Sequence, residues 1–510
     1  MSGWHQAALP LAVFLPAFGA IVVAFVPRGR DDLARGLGIV VTGAALVVGI
    51  AMLPAFHYGR SGLQFVLDTS WIPSIGARFH MGIDGISLPL FELTLLTSFL
   101  CAVYTWRIMP KGGSPKAFIA LILLLETGMA GTFISFDLIL FMVFWELVLI
   151  PMYFLIGIWG SGNREYAATK FLLYTLIGSL FMLLGFLGMY FFSHPHTFDI
   201  LQLQRYGAAG GFAHGTALLL FAGVFLGFAV KVPMWPFHTW LPDAHTEAPT
   251  VGSVLLAGIL LKMGGYGFIR IAFGILPDAA RSWAPVIAVL AAIAIVYASL
   301  ACLAQRDLKR LIAFSSVGHM GFVMLAIATM TTVGVNAAVF AMVAHGIITG
   351  LLFFEVGSIY DRYHTREIAE IGGGLLKKVP HLGWVFAATC IASLGLPPLP
   401  GFWGEVLAMF AAFHPGPGLS VGLFRTAMVF AGIGTILTSG YFLWTIQRVG
   451  YGVLPERWRD ASIRDLMPVE WVSWGPLLAG MLAVAVWPAL IFGVTNDAAQ
   501  ALARVFRVVT

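Results

Sequence analysis

Apolar runs of about twenty residues recur along this chain and constrain its fold more than any other feature. Charged residues make up only 10% of the sequence, against about 25% in soluble globular domains. A run of this length with few charges can cross the hydrocarbon core of a bilayer as a helix. The sequence therefore predicts an all-α polytopic membrane protein and excludes the common classes of soluble enzyme.

Fourteen runs satisfy this criterion. The predicted spans cover residues 7–26, 34–54, 86–106, 117–134, 138–159, 169–192, 216–236, 249–273, 283–304, 309–330, 334–359, 382–412, 421–447 and 471–493. The polar connections between them are short, and none is typical of a separate soluble domain.

Lysine and arginine are distributed unevenly between alternate loops. Nineteen of the 29 basic residues fall on one side of the predicted spans and eight on the other, while Lys231 and Lys262 lie within spans. We call the side with nineteen the basic face. Because basic loops remain on the cytoplasmic side of a membrane, this bias predicts that both termini face outward. The net charge of +5 does not indicate a nucleic-acid partner, since the basic residues lie in short loops.

Two predicted helices are interrupted by proline. In the seventh, Pro233 and Pro236 follow Lys231, and in the twelfth a PPLP stretch at 397–400 precedes Glu405. Proline removes a backbone donor and breaks a helix. The freed backbone is tolerated at membrane depth only against protein or a water-filled cavity. A costly break beside a costly charge indicates an ion path, because a plain membrane anchor needs neither.

The two broken helices also suggest an internal repeat. They run in opposite directions, because an odd number of spans leads from one to the other, and interrupted helices at matching positions are typical of inverted repeats. We therefore predict three N-terminal helices in residues 1–110 and a five-helix repeat of spans 4–8 in 117–273. A second, inverted repeat of spans 9–13 would occupy 283–447, and a last helix and tail 448–510.

The six strongest ionisable candidates inside the predicted spans have apolar neighbours on both sides. They are Glu146, Lys231, Lys262, His319, His345 and Glu405. Ionisable groups within a membrane usually mark ion paths and proton relays. The sequence therefore predicts that these six residues carry protons.

Glu146 and Lys231 have opposite charges and are expected to interact. Burial opposes the charge on each group, whereas the neighbouring charge favours it. Moving the carboxylate by a few ångström would then switch the lysine between holding and releasing a proton. The alternative is a static ion pair that locks two helices together.

Each of the other four residues has a structural alternative. Lys262 could extend to an interface. His319 and His345 can pass protons near neutral pH, but buried histidines are often only hydrogen-bonded core residues. Glu405 could cap the helix that re-forms after the break, where the backbone dipole favours an anion.

Other polar residues are weaker candidates. They are Glu126, Asp137, His238, Asp243, His245, Glu247, Tyr297 and Glu355. The residues at 238–247 either line an uptake funnel or cap the eighth helix, and Asp137 is expected at the membrane interface. The three cysteines lack metal-ligand spacing, so neither a disulfide nor a metal site is expected.

Several long stretches resemble a known family. They are DLILFMVFWELVLIPMYFLIGIWG, FLGFAVKVPMWPFHTWLPDAHTEAPT, GSVLLAGILLKMGGYGFIR, LIAFSSVGHMGFV, AHGIITGLLF and LPPLPGFWGE. These stretches are similar to the antiporter-like membrane subunits of respiratory complex I, the bacterial proton-pumping NADH:quinone oxidoreductase, and most closely to the M type. The resemblance extends from the third span to the thirteenth.

This resemblance implies fourteen spans, two inverted five-helix repeats and discontinuous seventh and twelfth helices. Glu146, Lys231 and Lys262 match the family's glutamate and two lysines on the fifth, seventh and eighth helices, and His319 and His345 match histidines on its central axis. The L-type and N-type subunits usually have lysine where this chain has Glu405, which favours the M type. Glu355 departs from the family pattern, in which an apolar residue is expected, and suggests an ion pair near the basic face.

The resemblance further implies a proton-translocating subunit without a redox centre. NADH, FMN, iron–sulfur clusters and quinone are expected in partner subunits, with L-type and N-type neighbours in the bacterial inner membrane. The main alternative is a subunit of a multisubunit cation/proton antiporter. A structural membrane scaffold and a substrate-specific secondary transporter are further alternatives.

Overall fold

Thirteen helices within residues 3–508, the part of the chain that the computed structural model describes, are long and apolar enough to cross a membrane. They are Gly3–Ala24, Asp31–Ala55, Ser87–Thr105, Pro115–Ile134, Leu138–Trp159, Arg164–Phe192, His214–Lys231, Thr250–Ile275, Pro277–Leu303, Leu308–Ala328, Thr332–Tyr363, Val421–Tyr451 and Pro468–Val486. The twelfth span is interrupted and consists of Pro380–Ala392 and Pro400–Phe413. The predicted polytopic helical fold is confirmed, with fourteen spans when the broken helix is counted as one.

Shorter helices lie between and after the spans. They are Ile200–Ala208, Trp240–Glu247, Ile368–Ile371, Leu375–Lys378, Glu456–Arg459 and the longer C-terminal Ala489–Val508. The last of these corrects the predicted fourteenth span, which we placed at 471–493. The transmembrane helix ends at Val486, and Pro488, which lacks an amide donor, separates it from the next helix.

The connection between the second and third spans folds into a β-hairpin that the sequence analysis missed. Strand β1 (Gln64–Ile72) pairs in antiparallel fashion with β2 (Ala77–Ile83). Gly76 supports the turn with a φ of 69°, a left-handed conformation that favours glycine. The alternation of apolar and polar residues in β1 is incomplete, which explains why the pattern gave little signal.

The hairpin is anchored to the ends of neighbouring helices. The Arg78 amide donates to Asp137 Oδ2 at 3.0 Å, and the ring of His80 hydrogen-bonds to Asp199 at 2.7 Å. Asp137 is completely buried and accepts the amides that begin the fifth span. The Asp137 carboxylate is therefore a helix cap beneath the hairpin, at the start of the fifth span, and its position at the membrane interface stays a prediction.

The eighth span is the central helix of the bundle. Every residue of its most apolar window is buried inside the protein. Two π-helical segments, Leu256–Leu260 and Phe268–Ala272, interrupt its α-helical hydrogen bonding. Such bulges are frequent at functional sites, and these two flank Lys262.

Arg270 is buried at the end of this central helix, although we counted it among the loop residues. Its guanidinium donates to both oxygens of Asp84 at 2.6 and 2.7 Å, and only 6% of Arg270 and 3% of Asp84 is exposed. Gln204 donates to the Arg270 carbonyl at 2.7 Å. The eighth span is thus joined to the segment that starts the third span and to the helix Ile200–Ala208.

The C-terminal helix crosses several spans and holds them together. Thr495 Oγ1 donates to Asn336 Oδ1 at 2.6 Å, and the Asn336 amide donates to Asn496 at 3.1 Å. Phe492 stacks on Phe340 with ring centroids 4.7 Å apart. The helix therefore fixes the beginning of the eleventh span.

Breaking the buried Asp84–Arg270 pair should destabilise the protein strongly. In Asp84→Asn the guanidinium loses its counter-charge in a buried site, a change that costs about 3–5 kcal/mol. We expect a lower apparent melting temperature and less assembled protein in detergent extracts of membranes. The control is Asp32→Asn, which removes an exposed partner of Arg35 and should change little. Equal stability of the two variants would contradict this prediction.

The His80–Asp199 contact should make stability depend on acid pH. Burial acts to raise the pKa of Asp199, but hydrogen bonds from His80 and the Gln202 amide outweigh it, so the pKa lies below its usual range. A carboxyl with a lowered folded-state pKa contributes stability above its unfolded value of about 3.9 and loses it as the pH falls further. The melting-temperature difference between the parent protein and Asp199→Asn should be constant from pH 7 to 5 and narrow below about pH 4. A difference that persists at pH 3 would be inconsistent with this assignment.

Candidate functional site

The seventh span ends at Lys231, as the prolines predict. Its helix, His214–Lys231, resumes beyond the break as Trp240–Glu247. Trp240 Nε1 donates to the Val230 carbonyl at 2.9 Å and so satisfies part of the freed backbone. Lys231 therefore lies in the last turn of a helix, where the negative end of the backbone dipole favours a cation.

The fifth span is irregular next to Glu146. Its two helical parts, Leu138–Leu147 and Leu149–Trp159, meet shortly before Pro151, which has no amide to donate to the preceding turn. Glu146 is half-buried, whereas nearby Val143 is 48% exposed and Ile150 60% exposed. Its carboxylate therefore lies near the lipid-facing or partner-facing flank of the chain.

Glu146 and Lys231 are close enough to interact but do not form a contact ion pair. They lie within electrostatic range of one another, yet Lys231 Nζ has no hydrogen-bond partner within residues 3–508. The ammonium lies 5.2 Å from the ring centroid of Trp145, whose indole donates to Ser179 at 3.0 Å. The aromatic face attracts the cation. This geometry does not match the alternative of a static, locked ion pair.

Lys262 contacts His345 at the centre of the bundle. Lys262 is fully buried, and its Nζ lies 2.7 Å from His345 Nδ1. The ammonium also donates to the carbonyl of Ala257, in the π-helical segment one turn away. Lys262 therefore does not extend to an interface. Because the Lys262 ammonium donates to Nδ1 of His345, that nitrogen carries no proton, and neutral His345 is protonated on Nε2. Nε2 has no hydrogen-bond partner within the described residues.

His319 joins this pair to Glu405. The rings of His345 and His319 are 5.6 Å apart between centroids. His319 Nδ1 lies 3.2 Å from Glu405 Oε1, and its Nε2 lies 3.0 Å from Ser393 Oγ. The other Glu405 oxygen accepts from Thr435 at 2.9 Å. The structure thus brings four of the six predicted residues into one row, with a gap between the two histidines.

A small cavity lies between the two histidines and Glu405. Its volume is about 30 Å³, and apolar residues such as Phe322 and Ile348 line it together with Thr349 and Ser393. A space of this size with several polar partners can hold one or two waters. Water there would bridge the His345 and His319 rings, which are not in direct hydrogen-bond contact.

His245 extends the row toward the basic face. It is completely buried, stacks on Phe353 with centroids 4.4 Å apart, and has no partner for either ring nitrogen within the described residues. It lies within electrostatic range of both Lys262 and Lys309. Sequence reasoning had only grouped His245 with a possible funnel, because nothing in the sequence shows which helices meet around it.

Lys309 lies in the wall of a larger polar cavity at the basic ends of the spans. This cavity has a volume of about 410 Å³, and its charged lining includes Glu247, Asp361 and Arg366. Lys309, at the start of the tenth span, is 95% buried and donates to the Ala248 carbonyl. The cavity and His245 therefore lie in line with Lys262.

Other polar candidates lie outside this row. His238 packs against the ring of Tyr297, and Asp243 pairs with Lys170 at 2.7 Å. Within residues 3–508, Glu355 does not form the ion pair suggested near the basic face. Arg362 instead pairs with Glu470 at 2.7 Å.

The chain is similar to known membrane proteins over most of its length. The model of the family "NADH:quinone oxidoreductase/Mrp antiporter, TM" matches residues 135–431. The chain is 41% identical to NADH-quinone oxidoreductase subunit M of Rhodobacter capsulatus, with 95% of this chain and 94% of the relative covered. It is 39% identical to NAD(P)H-quinone oxidoreductase chain 4 of Acaryochloris marina, over 95% and 90% of the two chains.

Solved structures give the same result for the fold. A chain of respiratory complex I from Thermus thermophilus with bound NADH superposes with a TM-score of 0.87 at 28% identity, covering 98% of this chain and 99% of the other. A chain of the Mrp complex from Dietzia sp. DQ12-45-1b gives 0.86 at 22% identity, with complete coverage of both. At 22% identity the second match indicates a shared fold and no more.

Proposed function

This chain belongs to the transmembrane family of NADH:quinone oxidoreductase and Mrp antiporter subunits, and from that premise we propose that its buried charges form a proton path. The chain is a membrane subunit of a proton-pumping NADH-quinone oxidoreductase, and its relatives are M subunits. The observation that carries the assignment of residues is the row Lys262–His345–His319–Glu405, with contacts of 2.7 and 3.2 Å at its two ends.

Protons move along this row by exchange at the two ring nitrogens of each histidine. Lys262 gives a proton to His345 Nδ1, and His345 releases one from Nε2 into the small cavity. Water passes it to His319, which delivers a proton from Nδ1 to Glu405 Oε1. Histidine suits this step, because one ring nitrogen can accept a proton while the other releases one.

Proton uptake starts from the larger cavity at the basic face. Lys309, in its wall, is followed by His245 and then by Lys262. Both ring nitrogens of His245 lack partners within the described residues, so one can accept a proton while the other releases one. These two residues extend the relay that the six predicted residues define.

Glu146 and Lys231 act as the control point of the relay. Because no contact ion pair fixes them, a small movement of either helix changes their interaction strongly. No side-chain hydrogen bond within residues 3–508 joins Lys231 to Lys262. The coupling between them is therefore electrostatic, or passes through water.

The subunit works with partners that carry the redox chemistry. It is a multi-pass protein of a respiratory complex whose cofactors lie in other subunits. We infer that NADH, FMN, iron–sulfur clusters and quinone bind in those partners, and that L-type and N-type subunits adjoin this one. We also infer an inner-membrane location with both termini outside, and two inverted repeats, spans 4–8 and 9–13, that place the broken helices symmetrically.

A cation/proton antiporter subunit is the less favoured alternative. The relatives at 38–41% identity are oxidoreductase subunits, whereas the Mrp complex matches at 22%. Co-migration of this chain with flavin and iron–sulfur proteins on a native gel would separate the two functions.

Replacing Glu146 or Lys231 with alanine should uncouple the relay. We expect the complex to assemble and its NADH-driven proton translocation to fall about tenfold or more, since a positioned proton-transfer group commonly contributes at least that much. Pumping is measured with a pH-sensitive dye in membrane vesicles, and assembly on native gels. The control is Glu165→Ala, which removes an exposed carboxylate at the start of the sixth span. Normal pumping by a fully assembled Lys231→Ala complex would defeat the proposal.

Lys262→Arg tests whether this lysine transfers protons or only supplies charge. Arginine retains the positive charge but does not release its proton in proteins. We therefore expect Lys262→Arg to lose proton translocation about as completely as Lys262→Met does. If the arginine variant pumps normally while the methionine variant does not, Lys262 is a fixed charge and the relay through it is wrong.

A further inference from the structure

Glu355 is a buried carboxyl group that the proton path described above does not use. It lies on the eleventh span, ten residues beyond His345 toward the basic face, and is 0% exposed. Oε1 lies 2.6 Å from Thr389 Oγ1, whereas Oε2 has no hydrogen-bond partner within residues 3–508. Among those residues no basic side chain forms an ion pair with Glu355. An uncompensated carboxylate at such a site is costly.

The two contacts of Thr389 are compatible with a protonated Glu355. Thr389 Oγ1 lies 2.6 Å from Glu355 Oε1 and 2.9 Å from the carbonyl oxygen of Val385. A hydroxyl has a single proton, and a carbonyl oxygen can only accept. If Thr389 donates to Val385, the second contact is a hydrogen bond only when the Glu355 carboxyl donates to Thr389.

Thr389 leads toward the relay. Ser393 follows one turn later on the same face of the first half of the twelfth span, and its Oγ lies 3.0 Å from His319 Nε2. Side chains one turn apart are about 5–6 Å from each other, a distance that a single water bridges. The 30 Å³ cavity beyond Ser393 is lined by Ser393, His319 and Glu405 and has room for a further water on the relay side.

Polar groups also connect Glu355 to the basic face. Ser358, three residues further along the eleventh span, donates to Glu470 and lies 3.5 Å from the hydroxyl of Tyr104. Glu470 pairs with Arg362 at 2.7 Å, one turn nearer the surface. Glu355 therefore lies between the buried Arg362–Glu470 pair near the basic face and the relay at His319.

We propose that Glu355 is a second proton-storing residue, on a branch that joins the relay at His319. This inference rests on the proposed function of the row. The Glu355 proton passes to Thr389 Oγ1, and the Thr389 hydroxyl proton passes through water and Ser393 to His319 Nε2. His319 then releases its Nδ1 proton to Glu405 Oε1. Glu355 is left as a carboxylate until a proton from the Ser358 side restores it.

The test uses the assembled complex with Glu355→Gln and Thr389→Val. The matched control is Glu126→Gln, which removes a carboxyl that is also 0% exposed and has no hydrogen-bond partner within the described residues, but lies on the fourth span. Infrared difference spectra between the resting and the NADH-driven complex report carboxylic acids that change their protonation. NADH-driven proton translocation is measured in the same membranes.

We expect a carboxylic-acid band that is lost in Glu355→Gln, shifted in Thr389→Val and retained in Glu126→Gln, together with a several-fold drop in proton translocation in the first two variants. Three results would overturn the proposal: no Glu355 band in the difference spectrum, normal translocation in both branch variants, or equal impairment of Glu126→Gln. The comparison with Lys262→Met separates the main relay from the Glu355 branch. If Lys262→Met loses pumping while Glu355 gives no infrared band, the branch is wrong and the main relay stands.

Discussion

This structure depends on one constraint: a charged lysine lies on a helix that is surrounded by neither lipid nor bulk water. The eighth span is buried along its whole apolar window, and Lys262 lies in its middle. Placing such a charge at membrane depth costs about 2.5–3.5 kcal/mol on insertion scales. The cost is offset by the carbonyl of Ala257, which a π-helical segment carries, and by the ring of His345. The surrounding spans are arranged so that these partners meet.

The same requirement explains where the two broken helices lie. Each break is next to an ionisable group, Lys231 in the seventh span and Glu405 in the twelfth. In the twelfth, Gly395 has a φ of 73°, and a Cβ at this position would lie 2.8 Å from Glu405 Oε2. Glycine thus allows both the turn and the close approach of the carboxylate. A broken helix end places free backbone N–H and C=O groups next to the charge, whereas lipid and apolar side chains offer no polar groups to it.

Much of this arrangement could be predicted from the sequence. The spans follow from hydropathy and the two breaks from proline, because both are local properties. Contacts between distant helices are not local. The sequence therefore identified His319 without showing that it lies between His345 and Glu405. It paired Glu146 with Lys231 by charge, but the ring of Trp145 occupies the position beside the ammonium.

Other features gave weak or misleading signals. Lys309 begins the predicted tenth span and gave no signal of a buried role, yet its side chain turns inward to the Ala248 carbonyl. The β-hairpin lacks regular alternation, and its stability comes from contacts with Asp137 and Asp199 that are far away in the chain. Such features depend on three-dimensional packing and could not be derived from one sequence.

The position of Glu146 has a consequence for communication between adjacent subunits. Glu146 is half-buried next to the exposed Val143 and Ile150, so a neighbouring protein on this flank would complete its surroundings. A unit charge appearing about 8 Å away would change its energy by about 2 kcal/mol at an effective dielectric constant near 20. That is enough to shift an equilibrium about thirtyfold without any helix moving. A change of charge in an adjacent subunit can therefore act on Glu146 electrostatically, across the side of the chain, and no conformational change is needed to transmit it.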